Sequence, residues 1–223
     1  MPVINPLQER CLRIFPSVDG SGEFYLTGGT ALAHFYLQHR KSEDLDFFTS
    51  VEGLIPSFSK LLVEQLCQRG LSAKIQRGFH SFSEILVSLN NETTIIHLAQ
   101  DAVFRFEPVC EVTEFPGLKV DPLKDIASNK LLALFGRAAL RDFIDVYWLI
   151  QGGYFSKEQL IDFAKQKDPG LDLYWLGVAF AQISDYEQSF SDLTMLFKPV
   201  TFDVLSQFFT QWRDCIIKKL SAQ

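Results

Sequence analysis

The sequence predicts an α+β fold, with a mixed α/β layer over residues 1–120 and helices over 121–223. Three observations predict it. An apolar strand at Phe24-Tyr25-Leu26 breaks at Thr27-Gly28-Gly29 and resumes as a helix. Two strand-like runs, 82–89 and 93–99, flank Asn90-Asn91, and Asn tolerates the positive φ that a tight hairpin needs. Beyond Asp121-Pro122 the apolar residues recur at helical spacing.

Each element follows from local chemistry. Gly20-Ser21-Gly22 turns the chain into the first strand. Thr30 to about Gln38 reads as a helix, with Leu32, Phe35 and Tyr36 forming its apolar stripe. His39–Glu43 is polar loop, and Leu45, Phe47 and Phe48 mark a strand that carries Asp44 and Asp46. Pro56 to Gly70 reads as a helix, with Phe58, Leu61, Leu62 and Leu66 at its spacing and Gly70 as its stop. Asp121 can cap a third helix with Pro122 in its first turn, and Gly136 loosens or ends it. Arg141–Ile150 forms another, closed by Gly152-Gly153. Ser156-Lys157-Glu158-Gln159 opens the last helical stretch as a capped start. No linker-like segment separates independent domains.

Composition narrows the function. Of 223 residues, 47% are hydrophobic and 22% charged, which is ordinary for a globular chain. Acids outnumber bases 27 to 21, so the net charge of −6 argues against a broad duplex-DNA surface. No window approaches the roughly 18–20 apolar residues of a membrane span, and the N-terminus lacks the order of a signal peptide. Cys11, Cys67, Cys110 and Cys215 form no CxxC pair, as expected of reduced thiols in a cytoplasmic protein. The 21 Phe residues point to an aromatic core.

Three patterns carry chemistry, and each has a plain structural alternative. Thr27-Gly28-Gly29-Thr30 lies between strand and helix. There the glycines permit close backbone approach and the helix start offers free N–H groups to a phosphate. The alternative is a tight turn with Thr30 as N-cap. Asp44 and Asp46 share a strand face, about 7 Å apart by strand rise. That spacing suits joint grip on a hard divalent cation such as Mg²⁺. The alternative is a solvated strand edge paired with Arg40 or Lys41. Lys130 and Arg137 lie on one helical face, Arg141 and Asp145 sit at i,i+4, and Asp142 and Asp145 share a face. This is either a phosphate-binding edge or a solvated helix surface.

Taken in order, these patterns resemble a known family. Thr27-Gly28-Gly29-Thr30-Ala31-Leu32 followed by His39-Arg40-Lys41-Ser42-Glu43-Asp44-Leu45-Asp46-Phe47-Phe48 is similar to the signature of the AbiEii/AbiGii toxin nucleotidyltransferases, within the DNA polymerase β-like superfamily. Pro122-Leu123, Lys130-Leu131, Ala133-Leu134, Arg137, Arg141-Asp142-Phe143 and Asp145 resemble its second block. The resemblance runs from about residue 24 to 150. It implies a small mixed sheet with flanking helices and a helical C-terminal part. It also implies transfer of a nucleotidyl group from an NTP with release of pyrophosphate. On this chain Gly28, Gly29 and Thr30 would hold the triphosphate, Asp44 and Asp46 would bind Mg²⁺ or Mn²⁺, and Lys130 would contact the triphosphate. Asp142 and Asp145 cover the family's last conserved acid. Arg40 and Ser42 would shape the loop or touch phosphate. Implied partners are an NTP, a tRNA end or protein hydroxyl as acceptor, and a cognate antitoxin.

The superfamily usually adds a third acid on a neighbouring strand. In Thr93–Asp101 that place holds His97, with Asp101 four residues on and Glu84 on the hairpin partner as the other candidates. The alternative function is therefore a catalytically weak or inactive nucleotide-binding or partner-binding module on the same fold.

Overall fold

A computed structural model describes residues 2–101, 104–187, 190 and 196–221. The chain divides into two compact units, Met1–Leu123 and Lys124–Gln223. The first holds a seven-stranded mixed sheet, so the α+β class is correct.

The sheet is built from β1 (Tyr25–Thr27), β2 (Asp44–Thr49), β3 (Ser72–Gly78), β4 (Phe82–Leu89), β5 (Glu92–Gln100), β6 (Cys110–Glu111) and β7 (Lys119–Val120). Their order is β3-β4-β5-β2-β1-β7-β6. β2 is central, parallel to β5 and antiparallel to β1. Its alternation sets its two faces: Leu45 and Phe47 are fully buried, while Asp44, Asp46 and Phe48 are partly exposed on the other side. The buried face is aromatic, as the Phe count suggests. Phe47 stacks on Phe15 with ring centroids 3.7 Å apart, and Phe24 stacks on Phe58 at 4.3 Å. Phe58 comes from α3 (Ile55–Gln68), whose apolar stripe also buries Leu62 and Leu66.

The region after β1 differs from a plain helix. α2 spans only Gly28–Ala31, and the chain then widens into a π-helical stretch, Leu32–Leu37, ended by Gln38 at φ 49°. The helix therefore starts at Gly28, with Thr27 as its N-cap residue, and Thr30 lies inside it. Two further elements of this unit carry local signals of their own. α1 (Pro6–Ile14) is opened by a capping box between Asn5 and Gln8. β3 is almost wholly exposed on the sheet edge, and the alternation Leu71-Ser72-Ala73-Lys74-Ile75-Gln76 leads into it.

In the second unit, α4 (Leu123–Arg137) begins after Pro122 and Ala138 follows it at φ 46°. α5 (Leu140–Gln151), α6 (Lys157–Lys167), α7 (Leu173–Ala181) and α8 (Phe202–Ser221) follow. Ser156 and Gln159 form the expected capping box at the start of α6. Phe143, Phe180, Phe209 and Trp212 make the aromatic centre of this unit, with Phe143 and Phe209 edge to face at 4.9 Å. The expectation of helix throughout the tail extends to residues 188, 189, 191–195 and 222–223, which lie outside the described residues.

Candidate active site

The site is assembled where β1 passes into α2 beside the exposed face of β2. Register pairs Thr27 with Asp46, so the turn after β1 starts level with the second acid. Gly28 adopts φ +71°, a left-handed conformation costly for residues with a side chain. Its missing side chain makes room for the carboxylate: a Cβ there would lie 2.3 Å from Asp46 Oδ2. Gly29 is matched to the loop in the same way, since its Cβ would lie 2.8 Å from Arg40 Nη2 and 3.2 Å from Ser42 Oγ. Both glycines of the sequence pattern are thus explained by close approach.

Arg40 and Ser42 are themselves buried and pack against that turn. Arg40 Nη1 donates to the Lys41 carbonyl at 3.0 Å. Gln8 Nε2 donates to the Ser42 carbonyl at 3.0 Å, tying α1 to the loop. These contacts tie Arg40 and Ser42 into the loop beside the turn. Thr30 needs a correction. Its side chain is fully buried and its hydroxyl donates to the Asp44 carbonyl, so it ties α2 to β2 rather than presenting a hydroxyl to a phosphate.

Three strands carry polar residues across one row of the same face. β5 sets His97 opposite Asp46, and β4 sets Glu84 opposite His97. His97 Nδ1 donates to Asp46 Oδ1 at 2.9 Å, and His97 Nε2 lies 3.7 Å from Glu84 Oε2. The hydrogen bond to Asp46 raises the His97 pKa above its ordinary value. Burial opposes this, and the charges of Asp46, Asp44 and Glu84 add to it. These carboxylates therefore favour the charged form of His97. Of the other candidates for a third acid, Glu84 belongs to this row. Asp101 follows the end of β5, accepts a hydrogen bond from Tyr25, and pairs with Arg105 at 3.5 Å.

Asp44 and Asp46 offer hard oxygen atoms on one strand face, and Gly28 keeps the side of Asp46 Oδ2 clear of protein side chain. Among the described residues no group of three or more His, Cys, Asp or Glu is arranged to hold a metal by itself. Two carboxylates fit Mg²⁺ bound jointly with substrate phosphates, the usual mode for that ion. When bound, it would neutralise phosphate charge at the reacting end of the nucleotide.

The second block forms a buried ion cluster within the second unit. Lys130 Nζ lies 2.8 Å from Asp145 Oδ2 and 3.7 Å from Asp142 Oδ1. Arg137 grips Asp142 with two bonds, Nε to Oδ2 at 2.7 Å and Nη2 to Oδ1 at 2.9 Å. Both acids are fully buried and Lys130 is 6% exposed. The solvated helix face is thus corrected for these residues: burial and paired charge replace it. Asp121 also departs from expectation. α4 starts at Leu123, and the Asp121 carboxylate accepts from the Thr27 hydroxyl at 2.6 Å and from Arg105. The residue missed by sequence reasoning is Arg105; its only signal is a lone base in an otherwise acidic stretch.

Known proteins agree with this architecture. A crystal structure of an H. pylori protein described as a candidate nucleotidyltransferase matches with TM-score 0.61 at 21% identity, covering 96% of this chain and 94% of that one. MenT4, a nucleotidyltransferase toxin of Mycobacterium tuberculosis H37Rv, matches with TM-score 0.54 at 16% identity, covering 95% of this chain and 81% of that one. At these identities the likeness shows the fold. An uncharacterized protein of Aquifex aeolicus (strain VF5), aq_aa25, is 30% identical over 172 residues, 74% of this chain and 76% of that protein. The family model "Nucleotidyl transferase AbiEii toxin, Type IV TA system" matches residues 10–170, a span that includes both sequence blocks. The chain belongs to the AbiEii nucleotidyltransferase toxin family.

Proposed function

We propose that the protein is a Mg²⁺-dependent nucleotidyltransferase that moves an NMP from an NTP to an acceptor hydroxyl, on a tRNA end or a protein, as the toxin of a toxin–antitoxin or phage-defence pair. The observation that carries this reading is the fit of Gly28 to Asp46, which brings the Gly-Gly turn at a helix start and a metal-type carboxylate together. In the reaction the acceptor oxygen bonds to the α-phosphorus and loses its proton, while the bond to the β-phosphate oxygen breaks and pyrophosphate leaves.

The chain's own residues divide the work. Backbone N–H groups at the Gly28–Gly29 turn receive phosphate oxygens at a helix start. Arg40 and Ser42 hold that turn in shape. Asp44 and Asp46 hold the cation. Lys130, fixed by Asp142 and Asp145, supplies a point charge for phosphate. The toxin family supports a place in the cytoplasm and a cognate antitoxin as partner.

The second reading, a nucleotide-binding or partner-binding module with weak or no turnover, is favoured by one observation: His97 stands beside Asp46 where a third acid would bind metal. Thermal unfolding with each NTP, with and without Mg²⁺, tests the site. A ligand at about 100 times its Kd adds roughly 2.7 kcal/mol, a rise of several degrees. We expect a Mg²⁺-dependent rise for wild type and none for Asp44→Ala/Asp46→Ala. No rise with any NTP would overturn nucleotide binding. Transfer of an α-phosphate label that disappears in the double variant would exclude the binding module.

A further inference from the structure

We propose that Arg105 and Asp121 form a clasp that positions Thr27 and the Gly28–Gly29 turn for the phosphates of a nucleotide. This inference rests on the nucleotide-binding reading of the turn. The clasp lies wholly within the first unit.

Asp121 is 1% exposed, and each of its polar groups is engaged in a different direction. Oδ2 accepts from the Thr27 hydroxyl at 2.6 Å, and Oδ1 accepts from Arg105 Nη2. Its backbone N–H donates to the Leu26 carbonyl at 2.9 Å. Its own carbonyl accepts from the Tyr36 hydroxyl at 2.9 Å, which links it to the helical segment after the turn. Residues on both sides of Gly28-Gly29 are therefore bound to one buried residue.

Arg105 carries the counter-charge that a buried carboxylate requires. Its other arm reaches Asp101 Oδ2 at 3.5 Å, and its guanidinium lies 4.2 Å from the centre of the Tyr25 ring. The Tyr25 hydroxyl donates to the same Asp101. Arg105 thus joins the end of β5, at Asp101, to the end of β7, at Asp121. Both ends are drawn toward β1, whose last residue is Thr27.

Consequences for the turn follow from chain geometry. Thr27 is extended at φ −138°, ψ −159°, and the next residue swings to φ +71°. A rotation at Thr27 would redirect the amides of Gly28 and Gly29 together. The Thr27 hydroxyl bond to Asp121 is the side-chain restraint on that rotation. Asp121 and Arg105 act through Thr27, so they are positioning residues.

The test is binding of inorganic tripolyphosphate and of each NTP, with Mg²⁺, to the full chain at a temperature where every variant is folded. Thr27→Val removes the hydroxyl at nearly constant shape, Thr27→Ser keeps it, and Arg105→Lys keeps the charge without the fork. Ile85→Val, in the fully buried row of β4, controls for loss of stability alone. Thr27→Val and Arg105→Lys should weaken tripolyphosphate and NTP about tenfold, with Thr27→Ser and Ile85→Val within about twofold of wild type. If Thr27→Val does not fold, Arg105→Lys carries the test. Wild-type affinity in the folded variants, or equal weakening in Ile85→Val, would reduce the clasp to structural glue and overturn the proposal. Failure of wild type to bind either ligand would instead remove the nucleotide reading, and this inference with it.

Discussion

Gly28→Ala should lower nucleotidyl transfer about a hundredfold and cost about 2 kcal/mol of stability. Two independent effects act at this position. The φ of +71° is strained for any residue with a Cβ. The added Cβ would also sit 2.3 Å from Oδ2, 3.0 Å from Cγ and 3.1 Å from Cβ of Asp46. The Asp46 carboxylate could rotate away only by giving up its bond from His97. Its Cβ cannot retreat, because β2 is paired on both sides, with β1 and β5. Gly29→Ala meets instead the far end of the Arg40 side chain at an ordinary φ, so its effect should be several-fold smaller. Comparing kcat/KM with the urea midpoint for both variants checks this ordering. Wild-type transfer by Gly28→Ala would mean that Asp46 does not work from the position described.

The contrast between these glycines shows what the sequence could and could not convey. The Gly-Gly turn and the alternation of Asp44, Leu45, Asp46 and Phe47 are local, so pattern and period were enough to place them. The reason for each glycine was not local: Gly28 answers to Asp46 and Gly29 to Arg40 and Ser42, residues more than ten positions away. Thr30 looked like a cap because hydroxyl residues favour that place, but helix geometry begins at Gly28 and leaves Thr30 inside, facing the Asp44 carbonyl. His97 was legible as a candidate from the family resemblance, which sets an acid at its place, while its hydrogen bond to Asp46 depended on the parallel register of β2 and β5. Edge strand β3 carries only a short alternation, Leu71-Ser72-Ala73-Lys74-Ile75-Gln76, and it is exposed on both faces. Asp121 carried a true local signal, an acid before Pro at a helix start, and tertiary contacts with Thr27 and Arg105 overrode it.

Lys130→Met should destabilise the protein by about 3–5 kcal/mol, the range for stripping one partner from a buried ion cluster. Asp142 and Asp145 are fully buried, and the ammonium lies 2.8 Å from one and 3.7 Å from the other. Methionine matches the length of the lysine stem but brings no charge. Arg137 still neutralises Asp142 through its two bonds, so Asp145 bears most of the loss. This separates structure from chemistry at a residue where both are proposed. In Lys130→Met/Asp145→Asn the uncompensated carboxylate is gone, and much of the stability should return, with a coupling of about 0.5–3 kcal/mol by double-mutant cycle. If Lys130 supplies charge to a phosphate, the double variant stays inactive although it is folded. A double variant that regained transfer along with stability would make the Lys130 cluster a packing device only, and would leave the acids of β2 and the turn at Gly28 to account for the reaction.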